Sequence, residues 1–374
     1  MKENLDKKRK ILVLSPAPYG VCPSQRLKYE QYFDYLEDNG FITEISSFYT
    51  INAWKIIHRQ GCVLQKIFWV LLGYLRRTFD LFRLPFYDGL YVHLWVTPLG
   101  FPIFESLVRV LNVNIVYDID DMIFLKETNK FNKIWSIFKG RNKPFVLMKK
   151  AKYVIVCTPR LKEIAMKYNK NVSDISSTIN TTIYQPVSAY RKNKTTTLGW
   201  TGSFSGLEYL HVLDDVLKEV SRLRKIKLLV ISNLIEDGFV LEGIEVEGII
   251  WNREFEVSNL QRIEIGLYPL LKDEWCLGKS GLKALQYMAL GIPVVATSFG
   301  ANLRVIEDKN SGFLVNNKKE WIETIVSLID DLQLRKKIGS NARSRVEKYF
   351  SVEANKDKYL RIFDLVYKKE RRLS

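Results

Sequence analysis

Short runs of consecutive apolar residues alternate along this chain with longer amphipathic stretches, and Gly, Pro, Asn or Ser marks most of the changes. The apolar runs read as buried strands: Lys10–Ser15, Phe41–Ile45, Gly89–Leu94, Val113–Asp118 and Lys152–Thr158. Between them, Ser24–Asn39, closed by Gly40, and Phe101–Leu111 have helical spacing. A second series begins near Thr195. Its strands are Thr197–Trp200, Lys227–Ser232, Ile244–Glu247, Ile263–Pro269, Pro293–Thr297 and Gly312–Val315, and its first helix is Gly206–Leu223. Glu320–Glu370 reads as helix only. Repeated strand-then-helix units with short turns predict parallel sheets wrapped by helices. Two series predict an α/β chain of two doubly wound, Rossmann-like domains, residues 1–185 and 195–350, joined through the polar stretch Asn180–Lys194. A C-terminal helix, 355–374, is expected to pack back on the first domain. Ligands of such sheets bind at the C-terminal strand edges, and two facing domains would form a cleft.

Composition narrows the class. The chain has 374 residues, 47% hydrophobic and 26% charged, which suits two globular domains rather than a disordered protein. Four dispersed cysteines without a CxxC pair, and three histidines, offer no structural zinc site and fit a reducing compartment. Ile11–Leu14 is too short for a signal-peptide core and reads as a first strand. The net charge is +16, unevenly spread: Met1–Tyr190 holds 27 Lys/Arg against 16 Asp/Glu. A basic first half predicts an anionic partner. No helix-turn-helix, zinc finger or RNP motif supports nucleic acid. Ala53–Phe86 mixes six Lys/Arg with aromatic and aliphatic residues and has Asp80 as its one acid. Two readings stand: a segment lying in an anionic membrane interface, or a helix pair packing on a sheet. The charge bias favours the first.

Candidate chemistry concentrates late in the chain. The loop Trp275–Gly281 opens an amphipathic run carrying Leu282, Leu285, Met288 and Ala289, which Gly291 and Pro293 stop. Lys279, Ser280 and Lys283 at such a helix start would form an anion trap, with free N–H groups and the positive helix end adding to two ammonium charges. The turn Gly199–Gly206 also follows a strand and opens a helix, with Ser205 and Glu208 spaced as a capping box. Its glycines would let the backbone approach a diphosphate.

Gly281–Gly312, "GLKALQYMALGIPVVATSFGANLRVIEDKNSG", resembles the donor-binding half of GT-B glycosyltransferases of family 4, whose pattern there is "EAMA.G.PVVAS..GG..E.V.....G". In order along the chain, "ILVLSPAPYG" resembles their first strand and Gly loop, "DGLYVH" their Asp…His strand end, "AKYVIVCTPRL" their "AD.VI..S..L", and "INTTIYQP" their interdomain linker. "PSQR", "YDIDD" and "GWTGS" look like a bacterial branch that builds surface polysaccharides. The resemblance covers essentially the whole chain. It implies a GT-B fold and sugar transfer from a nucleotide-diphospho-sugar with retention of configuration. It also implies an acceptor-binding first domain and a donor-binding second domain.

Residue by residue, the resemblance puts His93 near the reacting sugar carbon. It puts Gly202, Ser203, Lys279, Ser280, Gly281 and Lys283 around the diphosphate, the two lysines standing in for the family's phosphate-binding pair. The family's Glu-x7-Glu falls on Gly278 and Gln286: Gln286 would bind a ribose hydroxyl, and Glu274 or Asp273 would replace the missing first acid. Arg304 stands where another family Glu would be. Gly20, Arg26, Asp120 and Asp121 would line the acceptor side. Asp118-Ile119-Asp120 imitates a DxD metal motif but falls in the first domain, away from both anion traps, so no metal and no cofactor is expected. The expected partners are a nucleotide-sugar donor, a saccharide or lipid-linked acceptor and an anionic membrane surface, with the protein cytoplasmic and peripheral on the inner face of the cytoplasmic membrane. The alternative is a non-catalytic sugar-nucleotide-binding or membrane-docking subunit that kept the fold and lost the acid at position 278.

Overall fold

Each of two units is built on a six-stranded parallel sheet. The computed structural model describes residues 8–368 except 58, 60, 113, 126–139, 187–194, 234–240 and 242. One unit comprises Met1–Ser177 with Asn355–Ser374, the other Thr178–Ala354.

In the first unit the strands are β1 (Arg9–Ser15), β2 (Phe41–Ser47), β3 (Gly89–His93), β4 (Ile115–Ile119), β5 (Tyr153–Val156) and β6 (Val172–Asp174), in the order β2-β1-β3-β4-β5-β6. β3 and β4 are buried at every position, as strands covered on both faces must be. The second unit has β7 (Thr196–Gly202), β8 (Ile226–Ser232), β9 (Glu245–Ile250), β10 (Ile265–Tyr268), β11 (Val294–Thr297) and β12 (Phe313–Val315), in the order β12-β11-β10-β7-β8-β9. Both orders reverse once, between β1 and β3 and between β7 and β10. In an open α/β sheet the crevice at such a reversal is where ligands bind.

The first unit's helices are α1 (Pro23–Arg26), α2 (Phe33–Asp38), α3 (Ile51–Ile57), α4 (Val63–Arg83), α5 (Ile103–Leu111), α6 (Lys143–Lys150) and α7 (Pro159–Met166). The second unit has α8 (Leu207–His211), α9 (Asp214–Leu223), α10 (Glu256–Leu260), α11 (Leu282–Ala289), α12 (Asn302–Val305), α13 (Lys318–Asp330) and α14 (Leu332–Arg345). From Asn355 onward α15 (Val352–Tyr367) packs on the first unit: Tyr359 stacks on Tyr32 at 4.3 Å and the Tyr367 hydroxyl donates to Leu90 O at 2.9 Å. Residues 178–185, read from sequence as first-domain, go with the second unit. Arg343 of α14 holds them there, donating to Thr181 O at 2.8 Å and to Tyr184 O.

Two expected helices are broken. Ser24–Asn39 becomes α1, a 3-10 turn over Glu30–Tyr32, and α2. Its polar residues Gln25, Lys28 and Glu30 are buried and bond to the loop after β1 and to Asp118 of β4, and those tertiary bonds override helical periodicity. Gly206–Leu223 becomes α8 and α9, with a break that buries both Leu210 and Leu213 while Val212 faces out. The expected capping box is not the start of α8, whose N-cap is Gly206; the Ser205 side chain lies outside the described residues.

The basic stretch Ala53–Phe86 forms most of α3 and all of α4. The inner side of α4 packs Trp69, Val70 and Tyr74 on Phe48 and Tyr49. The arginines correct the sequence reading. Arg77 is buried, pairs with Asp80 at 2.9 Å and donates to the carbonyls of Ser15, Ser46 and Val96. Burial lowers its pKa to about 10. Arg83 pairs with Glu44, and Arg76 donates to Ser47 O at 2.8 Å. Arg77 and Arg83 hold α4 to the sheet and are not free to meet an outside anion.

Candidate functional site

In the second unit, Gly281 takes the left-handed conformation (φ +78°) that turns the loop into α11, and no side chain caps the helix. The first-turn N–H groups of Leu282 and Lys283 find no acceptor among the described residues, as a helix start without a cap leaves them. Lys283 reaches from this turn to the end of β7. Its Nζ lies 4.5 Å from the Trp200 ring centroid and 5.7 Å from that of Tyr268. A Cβ at Gly202 would stand 2.5 Å from the same Nζ and 2.6 Å from the Trp200 ring, so a side chain there would displace the lysine or the indole. The two sequence motifs, Gly199–Gly206 and the loop before α11, therefore meet at the β7/β10 reversal.

Lys283 makes no ion pair or hydrogen bond with a described residue. Desolvation, helped by the neighbouring Lys279 charge, lowers its pKa to about 7. Lys279 itself lies over the Trp275 ring at 5.0 Å. A desolvated ammonium, unbonded helix N–H groups and a second lysine make a strong local preference for an anion. Ser203 opens the 3-10 turn Phe204–Gly206, and Ser280 lies in the loop directly before Gly281. α8, at five residues, is too short to act as a second anion-binding helix start.

Gln286 sits one turn deeper and is nearly buried. Its amide donates to the Tyr184 hydroxyl and to Glu256 Oε1, both at 3.2 Å, while Tyr184 donates to Glu256 Oε2 at 2.9 Å. In this state its N–H groups are spent on a closed cluster rather than offered to a ribose. Gly278 is buried in a 3-10 turn, and Glu274 stands exposed just ahead of that turn. Asp273 accepts from Cys276 N at 2.7 Å, which fixes the same turn.

In the first unit, His93 ends β3 opposite Asp118 of β4, beside the β1/β3 reversal. It is fully buried against Tyr29, and neither ring nitrogen has a hydrogen-bond partner among the described residues. Asp120 Oδ1 is 3.7 Å from its Nε2. Burial, with Lys28 nearby and against the pull of Asp118, lowers its pKa to about 3. His93 is thus neutral: one ring nitrogen carries the proton and can donate, the other can accept, and no second proton is taken up near neutral pH.

Asp118 is committed to Lys28 and the Tyr91 hydroxyl. Among the described residues no group of three or more His, Cys, Asp or Glu could hold a metal ion. Asp121 accepts from Met122 N at 2.8 Å, and Gly20 N donates to Glu30 Oε2 at 2.8 Å. Gln25 binds both the N–H and the carbonyl of Ala17, so "PSQR" clamps the loop after β1. Arg26 closes α1, with its Nε buried. Sequence reasoning missed Lys28, Tyr91 and Glu256. None has a local signal, because each gains its role from a partner 27 to 90 positions away.

Residues 195–331 match the family model described as glycosyl transferases group 1. The match runs through the second unit from the start of β7 to the end of α13. Glycosyltransferase 1 domain-containing protein 1 of Xenopus tropicalis is 27% identical over 115 residues, 31% of this chain and 33% of that protein. The chain thus spans about a third of that relative. Among solved structures, the sucrose-phosphate synthase of Thermosynechococcus elongatus superposes with a TM-score of 0.70 at 15% identity, covering 96% of this chain and 99% of that one. Anabaena HepE in complex with UDP and glucose gives 0.65 at 15%, covering 96% and 100%. At these identities the likeness is one of fold: both units have the doubly wound sheets of a GT-B glycosyltransferase.

Proposed function

We propose that this protein moves a sugar from a nucleotide-diphospho-sugar, held in the second unit, to a saccharide or lipid-linked acceptor served by the first. The product is a cell-surface polysaccharide or its precursor, made with retention at the inner face of the cytoplasmic membrane. The observation that carries the donor reading is Lys283: a desolvated cation beside an uncapped helix start, with no anionic partner among the described residues. As the glycosidic bond to the diphosphate breaks, negative charge grows on the leaving group. Preorganised N–H groups and the Lys279 and Lys283 ammoniums stabilise that charge more than the ground state, which is how an electrostatic site accelerates a reaction. Two ammonium charges occupy the role a divalent cation would otherwise have, so no metal is required.

A double displacement through a glycosyl-enzyme is not part of the proposal. Retention rests on the family resemblance. His93, neutral and unbonded, would give a hydrogen bond to a sugar hydroxyl, with Asp120 beside it; Gly20, Arg26 and Asp121 belong to the acceptor side. Glu274 is the carboxylate near Gly278 that could reach a donor sugar. Calorimetric titration of the full chain with UDP, GDP, dTDP and ADP, each in excess EDTA, tests the donor assignment. Binding of one of the four supports it, and binding of none overturns it.

A further inference from the structure

α4 carries an apolar ridge that no described residue of its own unit covers. Leu64, Phe68, Leu71, Leu75, Phe79 and Phe82 are spaced by three or four residues and are 58–83% exposed. The opposite side of the helix is fastened to the sheet by Gly73, Arg77 and Asp80. α5 lies beside α4, with Tyr74 and Phe104 in ring contact at 5.7 Å, and exposes Ile103, Leu107 and Val110. Six large side chains at such exposure present on the order of 600–800 Å² of apolar surface, above the patch of a few hundred Å² usual for a monomer. No helix among the described residues is long and apolar enough to cross a membrane.

Charge identifies the occupant. In Ile51–Leu111 the acids are Asp80, Asp88 and Glu105, and each is paired, with Arg77, Arg9 and Lys143. Lys55, Arg59, Lys66, Arg76 and Arg109 of the same stretch have no carboxylate partner among the described residues. A two-fold contact with a second copy would bring this excess positive charge against itself. An anionic bilayer supplies both an apolar phase for the ridge and negative headgroups for the five cations. We infer that the α4–α5 face is an interfacial anchor, laid in the plane of an anionic membrane with the ridge inserted. Arg77 and Arg83 brace the helix from behind. This deepens the proposed acceptor reading, which needs the first unit at a lipid surface, but it makes no use of the donor site.

The test is cosedimentation of the full chain with vesicles of phosphatidylcholine, alone or mixed with phosphatidylglycerol, without nucleotide. Three proteins are compared: wild type, Leu71→Asn/Leu75→Asn/Phe82→Asn, and Lys55→Gln/Arg59→Gln/Arg76→Gln. All six positions lie outside the core, and a melting curve checks folding. Wild type should partition at least tenfold better onto anionic than neutral vesicles, and salt should weaken it. The apolar variant should lose at least tenfold, and the charge variant should lose its preference for anionic lipid. Equal partition onto both vesicles, no partition, or an apolar variant that binds as wild type overturns the inference. So does a dimer in light scattering that the apolar variant dissolves, since the ridge would then be an interface between copies. Because nucleotide titration is a separate measurement, failure here leaves the donor assignment standing.

Discussion

Lys283→Met separates binding from stability. Methionine keeps the length of the side chain against Trp200 and Tyr268 but removes a charge that the fold does not compensate. A half-buried, desolvated cation without a carboxylate partner among the described residues destabilises a fold, so the variant should melt higher than wild type at pH 6. A charge-assisted contact to phosphate is worth about 1.5–3 kcal/mol, so nucleoside diphosphate affinity should fall about 10- to 150-fold. The pH dependence adds a second signature. The free lysine has a pKa of about 7 and a bound phosphate raises it, so binding takes up a proton above pH 7. Wild-type affinity should therefore drop about tenfold per pH unit, or about 1.4 kcal/mol, as pH rises from 7 toward 9. The methionine variant should lose that slope. Titration calorimetry in two buffers of different ionisation enthalpy reads affinity and proton uptake together. Unchanged affinity in the variant, or the same pH slope in both proteins, refutes the role given to Lys283.

Gln286→Ala leaves Tyr184 and Glu256 short of a donor in a buried cluster, and should cost about 1–3 kcal/mol in urea unfolding; an unaltered midpoint would mean the cluster is wet. Donor binding should persist in excess EDTA, and its loss with recovery on added Mn²⁺ would reverse the metal-free account. His93 must charge on unfolding below its ordinary pKa near 6.5 but stays neutral in the fold down to about 3, so its contribution to stability is present above pH 6.5 and lost as pH falls. His93→Phe should recover about 2 kcal/mol of that loss at pH 5 in chemical unfolding, while turnover falls and nucleotide affinity stays within about threefold; an acid sensitivity equal to wild type contradicts the buried neutral imidazole.

Strands were the most legible part of the sequence, because a strand covered on both faces shows as an unbroken apolar run: Lys10–Ser15, Gly89–Leu94 and Pro293–Thr297 each fall within two residues of β1, β3 and β11. The start of α11 was legible too, since a glycine hinge, basic residues and a Gly/Pro stop are all local. Helices whose polar residues serve distant partners were not. Gln25 and Lys28 break Ser24–Asn39 to reach Ala17 and Asp118. Arg77 reads as one more surface cation in a basic stretch, and only the fold reveals its three backbone acceptors, Ser15 O and Ser46 O at the ends of β1 and β2 and Val96 O in the loop after β3. The contact of Lys283 with Trp200 joins positions 83 apart, so sequence could name both motifs without pairing these two residues.

Sugar transfer is read most directly by following a labelled sugar. The full chain is incubated with UDP-, GDP-, dTDP- and ADP-sugars labelled in the sugar, together with a bacterial membrane extract as acceptor and EDTA throughout. Label from one donor should move into the lipid or polysaccharide fraction, with one nucleoside diphosphate released per sugar transferred, and Lys283→Met should slow the transfer. A donor that binds but is never consumed, with any extract, would contradict it and leave a sugar-nucleotide-binding subunit in place of an enzyme.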